Sequence, residues 1–312
     1  MKTNPTYDRI RNLATQLRRE TRVTKRREIG EELVRLLSKD DVRRKLATEA
    51  TPEAVGPDEP SMAASRCHTL SQLWVLVIHG AISVAESISQ GKGRVKRTLQ
   101  DLTLPWKLLV CCDKRDEAFE SEGLGIPKLS RKTIRSVLQY CLNMLADDEA
   151  VELAEIELLD MLNHMCSRAD YVGFFKFHSD FSNILSELSH RLSPEDEAKN
   201  EDAYFRAAKV FDSLFKTCRE LGIQMNLFIA DSMAIIHKWC KGHIRGGTMK
   251  PTSPIIYHFY NTMASILYAN PEESIGSMKQ YGRAILRVCK RCYSAATVVN
   301  KDALNNYLLA HL

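Results

Sequence analysis

The segment Arg22–Leu37 constrains the fold of this chain more than any other. It reads Arg-Val-Thr-Lys-Arg-Arg-Glu-Ile-Gly-Glu-Glu-Leu-Val-Arg-Leu-Leu. Ile29, Leu33, Leu36 and Leu37 fall at i, i+4, i+7 and i+8, the spacing that puts apolar side chains on one face of an α-helix. Arg22, Lys25, Arg26 and Arg27 stand just ahead of that stripe. The pattern predicts a helix that docks its leucines on a neighbour and carries its cations at one end.

The same helical period runs along the rest of the chain, and strand-like alternation is scarce. Residues 7–20 and 23–38 predict two basic amphipathic helices. Ser38-Lys-Asp-Asp41 fits a capping box and predicts a short helix to about Ala47. Thr51 to Met62 holds three prolines and one glycine, which predicts a linker. Thr69-Leu-Ser-Gln72 fits a second capping box, opening a helix to about Ser89 that Gly91 and Gly93 end. Residues 95–112 predict a helix broken or kinked at Pro105-Trp106. A polar loop follows from Asp113 to Pro127. Ser130 opens a helix to about Ala146.

Further on, residues 148–166 predict an acidic-faced helix with Leu153, Ile156, Leu159 and Leu162 on its apolar side. Residues 171–191, with Phe174, Phe175, Phe177 and Phe181, predict a buried aromatic helix. Ser193-Pro-Glu-Asp196 is a helix-start signal, with serine at the N-cap, proline at the first position and acids in the first turn. That helix extends to about Leu221, where Gly222 separates it from 223–241. Gly242, Gly246, Gly247, Pro251 and Pro254 form a breaker cluster. Residues 255–268, 272–292 and a segment from about Asn300 predict the last helices. About a dozen helices in antiparallel pairs suit HEAT or armadillo-type stacking. The fold expected is therefore all-α, a helical solenoid without a repeated sequence signature, with a compact helical bundle left open as the alternative. Its expected organisation is basic N-terminal helices over 1–48, a linker over 49–66 and a helical array over 67–312. The apolar end Leu-Leu-Ala-His-Leu312 carries no polar cap, which predicts further chain beyond it.

Composition narrows the classes. Of 312 residues, 44% are hydrophobic and 27% charged, enough for a core and too polar for an integral membrane protein. The longest apolar run, Leu73 to Val84, is interrupted by His79 and Gly80 and falls short of the ~18–20 residues of a membrane span, so a buried helix is expected. The N-terminus is charged from Lys2 and has no signal-peptide core. The nine cysteines lack framework spacing and predict reduced thiols in a cytosolic or nuclear setting. Charge is uneven: residues 1–47 hold 14 Lys and Arg against 7 Asp and Glu, so they carry +7, and the rest of the chain sums to −2 within the net +5. A basic arm on a slightly acidic body suits nucleic acid or an acidic partner. Interleaved acids (Glu20, Glu28, Glu31, Glu32) favour a solvated face instead.

The segment resembles the N-terminal (TAN) motif of the ATM checkpoint kinase family and its yeast telomere-maintenance relatives. There a basic pair precedes a helix with hydrophobic residues three, seven, ten and eleven places past the second arginine. Counting from Arg26, those places hold Ile29, Leu33, Leu36 and Leu37. Two places depart: Lys25 stands where an acid is usual, and Gly30 where an aliphatic is usual. Asp40-Asp-Val-Arg-Arg-Lys-Leu46 is similar to the family's second short helix, and a linker and a long apolar helix near Leu70 follow in the family's order. The resemblance covers about residues 10–110 in detail and the remainder in architecture.

The resemblance implies a nuclear helical scaffold for telomere maintenance, DNA-damage signalling and DNA repair, which engages recruiting proteins at broken DNA ends. It also allows homodimerisation of the full-length protein. Its phosphoryl-transfer machinery, with ATP and Mg, would lie far downstream. This chain contains no Gly-rich loop, catalytic-loop Asp and Asn or DFG aspartate, so no catalytic residue and no cofactor are expected in it.

Other candidate chemistry is weaker. Cys289-Lys-Arg-Cys292 is a lone CxxC. His237, Cys240 and His243 lack an evident fourth ligand. Glu152, Glu155, Glu157 and Asp160 could hold a cation or basic peptide, or form a solvated face. Trp74, Trp106 and Trp239 are large anchors, core by default. The site expected to bind a partner is Arg22, Lys25, Arg26 and Arg27. Arg22 and Arg26, at i and i+4, would share a helix side and grip a carboxylate or phosphate. The competing account has them pairing with acids of the next helix, or with Glu20 and Glu28, and pinning the terminal helices. Reversing charge at Arg22 and Arg26 is expected to abolish recruitment while leaving helical content intact. Two other readings stay open: a free-standing HEAT-like adaptor, and direct DNA or RNA binding by the basic arm.

Overall fold

Helix-forming periodicity becomes ten α-helices among the described residues, with no strand among them. The structure, a computed structural model, describes residues 5–49, 60–90, 96–114, 129–192 and 200–223, with Ser232, Ala234 and Ile235. The helices are α1 (Pro5–Arg19), α2 (Val23–Leu37), α3 (Asp40–Glu49), α4 (Pro60–Gln90), α5 (Leu99–Asp113), α6 (Arg131–Leu145), α7 (Asp148–Cys166), α8 (Ala169–Val172), α9 (Ser179–Arg191) and α10 (Glu201–Glu220). Two compact units divide the chain. The first is Met1–Met144 with Asp148–Ala154, and the second is Leu145–Asp147 with Glu155–Leu312.

In the first unit, α1 turns Ile10, Ala14 and Leu17 inward, and all three are fully buried. It lies on α4 where Gly80 allows close approach. A Cβ there would stand 3.6 Å from the Ala14 carbonyl oxygen and 3.7 Å from Leu17 Cδ2. The basic N-terminal helices thus pack on the long apolar helix and share its unit. α4 contributes Leu73, Val77, Ile78, Ala81 and Ala85, each at most 1% exposed. Leu70–Ile88 is in fact long and apolar enough for a membrane span by length and mean hydropathy (1.3), which corrects the expectation that the run is too short. Half of it is buried between neighbours, as a core helix requires.

α5 packs on both α2 and α4. Thr98 caps it: Thr98 Oγ1 accepts from the Asp101 N–H, and Asp101 accepts from the Thr98 N–H at 2.8 Å, completing a capping box. Pro105 does not break this helix, which continues to Asp113. Proline gives no N–H to the Asp101 carbonyl and crowds that turn. One residue on, the Leu102 carbonyl accepts the buried Tyr140 hydroxyl at 2.8 Å. In α6, Ser130 is the start signal expected, its hydroxyl accepting from the Thr133 N–H at 3.2 Å.

In the second unit, α10 packs on α8 and α9. It buries Tyr204, Ala207, Ala208, Phe211, Leu214, Phe215 and Cys218. Arg191 ties this unit's turns together. It donates to Glu155 at 3.1 Å, to Glu187 at 2.8 Å and to the carbonyl of Leu145. Gly222, with φ +64°, ends α10 as expected. Ile223 N–H bonds the Cys218 carbonyl at 2.9 Å and Gly222 N–H the Arg219 carbonyl at 3.1 Å, a Schellman motif that needs glycine's left-handed backbone.

Several expectations shift. Residues 60–66 are helical rather than linker, because Pro60 sits at the first helical position, where its missing N–H costs nothing. Thr69 therefore lies inside α4 and opens no helix. Ser38 caps no following helix: it ends α2, and its hydroxyl turns back to the Val34 carbonyl at 2.6 Å. Residues 171–191 are not one helix. The chain leaves α8 through turns over 173–178, and Asp180 accepts from the Lys176 N–H at 2.7 Å to start α9. Leu153 faces solvent, 42% exposed, since Ala154 (φ −151°, ψ 26°) is non-helical and resets the helical phase inside α7. The expected features at Gly91 and Gly93, Asp113–Pro127 (beyond Lys114), Ser193–Asp196 and every element after Ile235 lie outside the described residues, as does the 50–59 part of the linker.

Candidate functional site

The four apolar residues of the motif face one way. Ile29 (6% exposed), Leu33 (0%), Leu36 (7%) and Leu37 (0%) all lie in the core of the first unit. Gly30 is buried beside them, and a Cβ on it would come 2.8 Å from Leu104 Cδ2 of α5. The departure from the resembled motif thus has a local cause: α5 occupies the volume that an aliphatic side chain would need.

The four cations do not act as a group. Arg22 is the N-cap of α2, with extended backbone (φ −79°, ψ 118°), so it is not on the helix and does not share a side with Arg26. That geometry corrects the expected i, i+4 grip. Arg22 is two-thirds exposed and bonds Glu20, with Nε 3.2 Å and Nη2 3.4 Å from its carboxylate. Lys25 is half exposed, its Nζ 4.0 Å from the same carboxylate. Arg26 turns inward: Nε donates to the Glu20 carbonyl and Nη1 to Ser87 Oγ of α4 at 2.6 Å. Arg27 is a bridge to α5. Its Nε and Nη2 meet the two carboxylate oxygens of Asp101 at 2.9 and 2.7 Å, and Nη2 also donates to the Lys96 carbonyl at 3.0 Å. The Asp101 side chain is 1% exposed. Burial pushes the Asp101 carboxyl up, but the Arg27 guanidinium and the Thr98 hydrogen bonds outweigh it and hold the carboxyl below its ordinary value. Two of the four cations therefore hold helices together, and two face water.

Glu20 pairs with Arg22, as the competing account expects, and it organises the corner. Its Oε1 accepts the backbone N–H groups of Thr21 and Arg22, both at 3.1 Å, which substitutes for a side-chain cap at Arg22. The hydrogen bond from Arg22 holds its carboxyl down to about 2. Beside it opens a groove of about 490 Å3 between α1 and α2. Asn12, Thr15, Gln16 and Arg19 line one wall, Lys25 and Ile29 the other, with Glu20 and Thr21 at the closed end. The Arg27–Asp101 bridge has no local signal in the sequence beyond Thr98-x-x-Asp101, which has the spacing of a capping box.

Of the remaining described candidates, Glu152 is exposed and Glu157 half-buried, and the others are engaged in packing. Glu155 bonds Arg191 and Asn200, and Asp160 pairs with Arg206, so these acids of α7 serve the second unit's own contacts. Trp74 is buried and Trp106 half-buried. Burial pushes the Cys112 thiol well up and the Cys218 thiol up to about 12, so neither is a thiolate at neutral pH. No cluster of three metal-ligating side chains occurs among the described residues. His237, Trp239, Cys240, His243, Cys289 and Cys292 lie outside the described residues. No protein-family model matches the chain, and no curated protein or solved structure matches it.

Proposed function

We propose that this chain is a nuclear helical docking scaffold, the N-terminal region of an ATM-like DNA-damage-checkpoint and telomere-maintenance kinase. In this reading the helices continue as a HEAT or armadillo-type superhelix, and phosphoryl transfer belongs to another part of the polypeptide. The function is recruitment of protein partners at DNA ends. The observation that carries the reading is the division within α2: Ile29, Leu33, Leu36 and Leu37 are buried, as the resembled motif requires, while Arg22 and Lys25 stay exposed at its start. The helical order that follows, a short α3 with acids in its first turn and a long apolar α4, adds support.

The test replaces Arg22 and Lys25 by glutamate in the gene. Arg26 is left alone, because its bonds to Glu20 and Ser87 make its reversal a folding change. Loss of focus formation at induced breaks and shortened telomeres are expected, with the circular dichroism of the purified chain unchanged. Normal foci and normal telomeres in that strain overturn the reading. A second reading, direct binding of duplex by the basic arm, is favoured by the exposure of Arg18 and Arg19 next to Arg22 and Lys25. It requires binding that weakens steeply as salt rises.

A further inference from the structure

The groove between α1 and α2 has the chemistry of a peptide seat. Asn12 and Gln16, one turn apart on α1, present side-chain amides that can pair with an extended backbone. Ile29 supplies an apolar floor, only 6% exposed. Arg19 of α1 and Lys25 of α2 both line the groove and are both exposed. Arg19 makes no side-chain ion pair or hydrogen bond among the described residues, and Lys25 has only Glu20, at the 4.0 Å limit of an ion pair. Glu20 also lines the groove; its carboxylate is paired chiefly with the Arg22 guanidinium, at 3.2 Å, and the lining of Arg19, Lys25 and Glu20 keeps a net positive charge. The volume of about 490 Å3 lies within the range of formed ligand sites. No aromatic side chain lines it, so it has no platform on which a nucleic-acid base could stack.

We infer that this groove seats an extended acidic peptide segment of a partner protein, its backbone on Asn12 and Gln16 and its carboxylates between Arg19 and Lys25. The inference rests on the docking function proposed above and names the seat and the partner's chemistry.

The test uses the whole chain and a short fluorescent peptide of alternating Asp and Ala, with anisotropy at one fixed salt concentration. Arg19→Glu/Lys25→Glu is expected to weaken binding about tenfold, a loss of about 1.4 kcal/mol. Asn12→Ala/Gln16→Ala, which changes no charge, is expected to weaken it several-fold. Arg35→Glu/Lys39→Glu makes the same charge change at exposed positions outside the groove and is expected to leave binding within about twofold. Unchanged circular dichroism in each variant keeps folding out of the comparison. Equal loss in the Arg35/Lys39 variant, no binding by the wild-type chain, or tighter binding of a DNA duplex with the same Arg19/Lys25 dependence each overturns the inference. Groove-dependent peptide binding together with normal foci and telomeres in the Arg22/Lys25 strain would instead sink the proposed function and leave the seat standing.

Discussion

Replacing Arg27 by methionine should cost the first unit about 3 kcal/mol. The Asp101 carboxylate is 1% exposed and meets the guanidinium at 2.7 and 2.9 Å, so removing the cation strands a buried charge. Breaking a buried pair from one side costs about 3–5 kcal/mol. Two features favour the low end. Thr98 still donates to Asp101 from its N–H and its hydroxyl, both at 2.8 Å, and Arg27 is itself 24% exposed. Asp101→Asn should cost less, about 1–2 kcal/mol, because asparagine keeps an acceptor for the capping box and the released guanidinium can reach water. The double variant should lose less than the two singles summed, by about 1–2 kcal/mol.

The assay is urea unfolding followed by tryptophan fluorescence in a Trp239→Phe background. That leaves Trp74 and Trp106, both in the first unit, as reporters. Reading one unit avoids treating a chain with two compact units as a single two-state transition. With a slope of about 2 kcal/mol per molar, a 3 kcal/mol loss moves the midpoint down by about 1.5 M. The acid limb gives an independent check. The folded Asp101 binds a proton less readily than the unfolded one, whose ordinary value is near 3.8, so its contribution is full above that value and is lost as pH falls through the depressed folded value. Without Arg27, burial is left to push the carboxyl up, and acid unfolding should begin at a higher pH. A loss below about 1 kcal/mol for Arg27→Met, or strict additivity in the cycle, refutes the assignment of this pair as the α2–α5 pin.

Gly30→Leu should destabilise the first unit by about 1–3 kcal/mol in the same assay, because the Leu104 methyl group stands 2.8 Å from where its Cβ would lie; an unchanged midpoint would show that α5 gives way freely. Leu33→Ala should cost about 2–5 kcal/mol at a fully buried position, and a cost under about 1 kcal/mol would mean that the motif face is not core. His164 is held below its ordinary value of 6.5 by burial and by Arg168, with Asp170 opposing. The unfolded state then binds the proton more readily, so stability should fall as pH drops below about 6.5, and His164→Gln should flatten that fall in thermal unfolding. A pH profile identical to wild type would remove His164 as its source. Gly222→Ala should cost about 1–2 kcal/mol, since φ is +64°, and a neutral result would mean that the Schellman turn can reshape.

What was legible in the sequence was what the chain decides over a few residues. The leucine stripe of α2, the serine start of α6 and the glycine stop of α10 each act through neighbours one or two turns away, and each was read correctly. The Arg27–Asp101 bridge joins residues 74 apart, and nothing local says which acid a cation will find. The aromatic run 171–191 shows a second failure: four phenylalanines signal burial in either a helix or a pair of turns, and the Asp180 bond to the Lys176 N–H that decides between them involves a residue type common in both. The expected i, i+4 grip of Arg22 and Arg26 departs from the structure for a third reason. Helical phase assigns a face at 100° per residue only inside the helix, and α2 begins at Val23, one residue after Arg22. That single residue separates Arg22 from Arg26. One is left extended on the corner with Glu20, the other is turned onto Ser87 of α4, and Arg27, one step further, reaches α5. A run of four cations thus divides into two that build the fold, Arg26 and Arg27, and two that face water, Arg22 ahead of the helix and Lys25 on its exposed side.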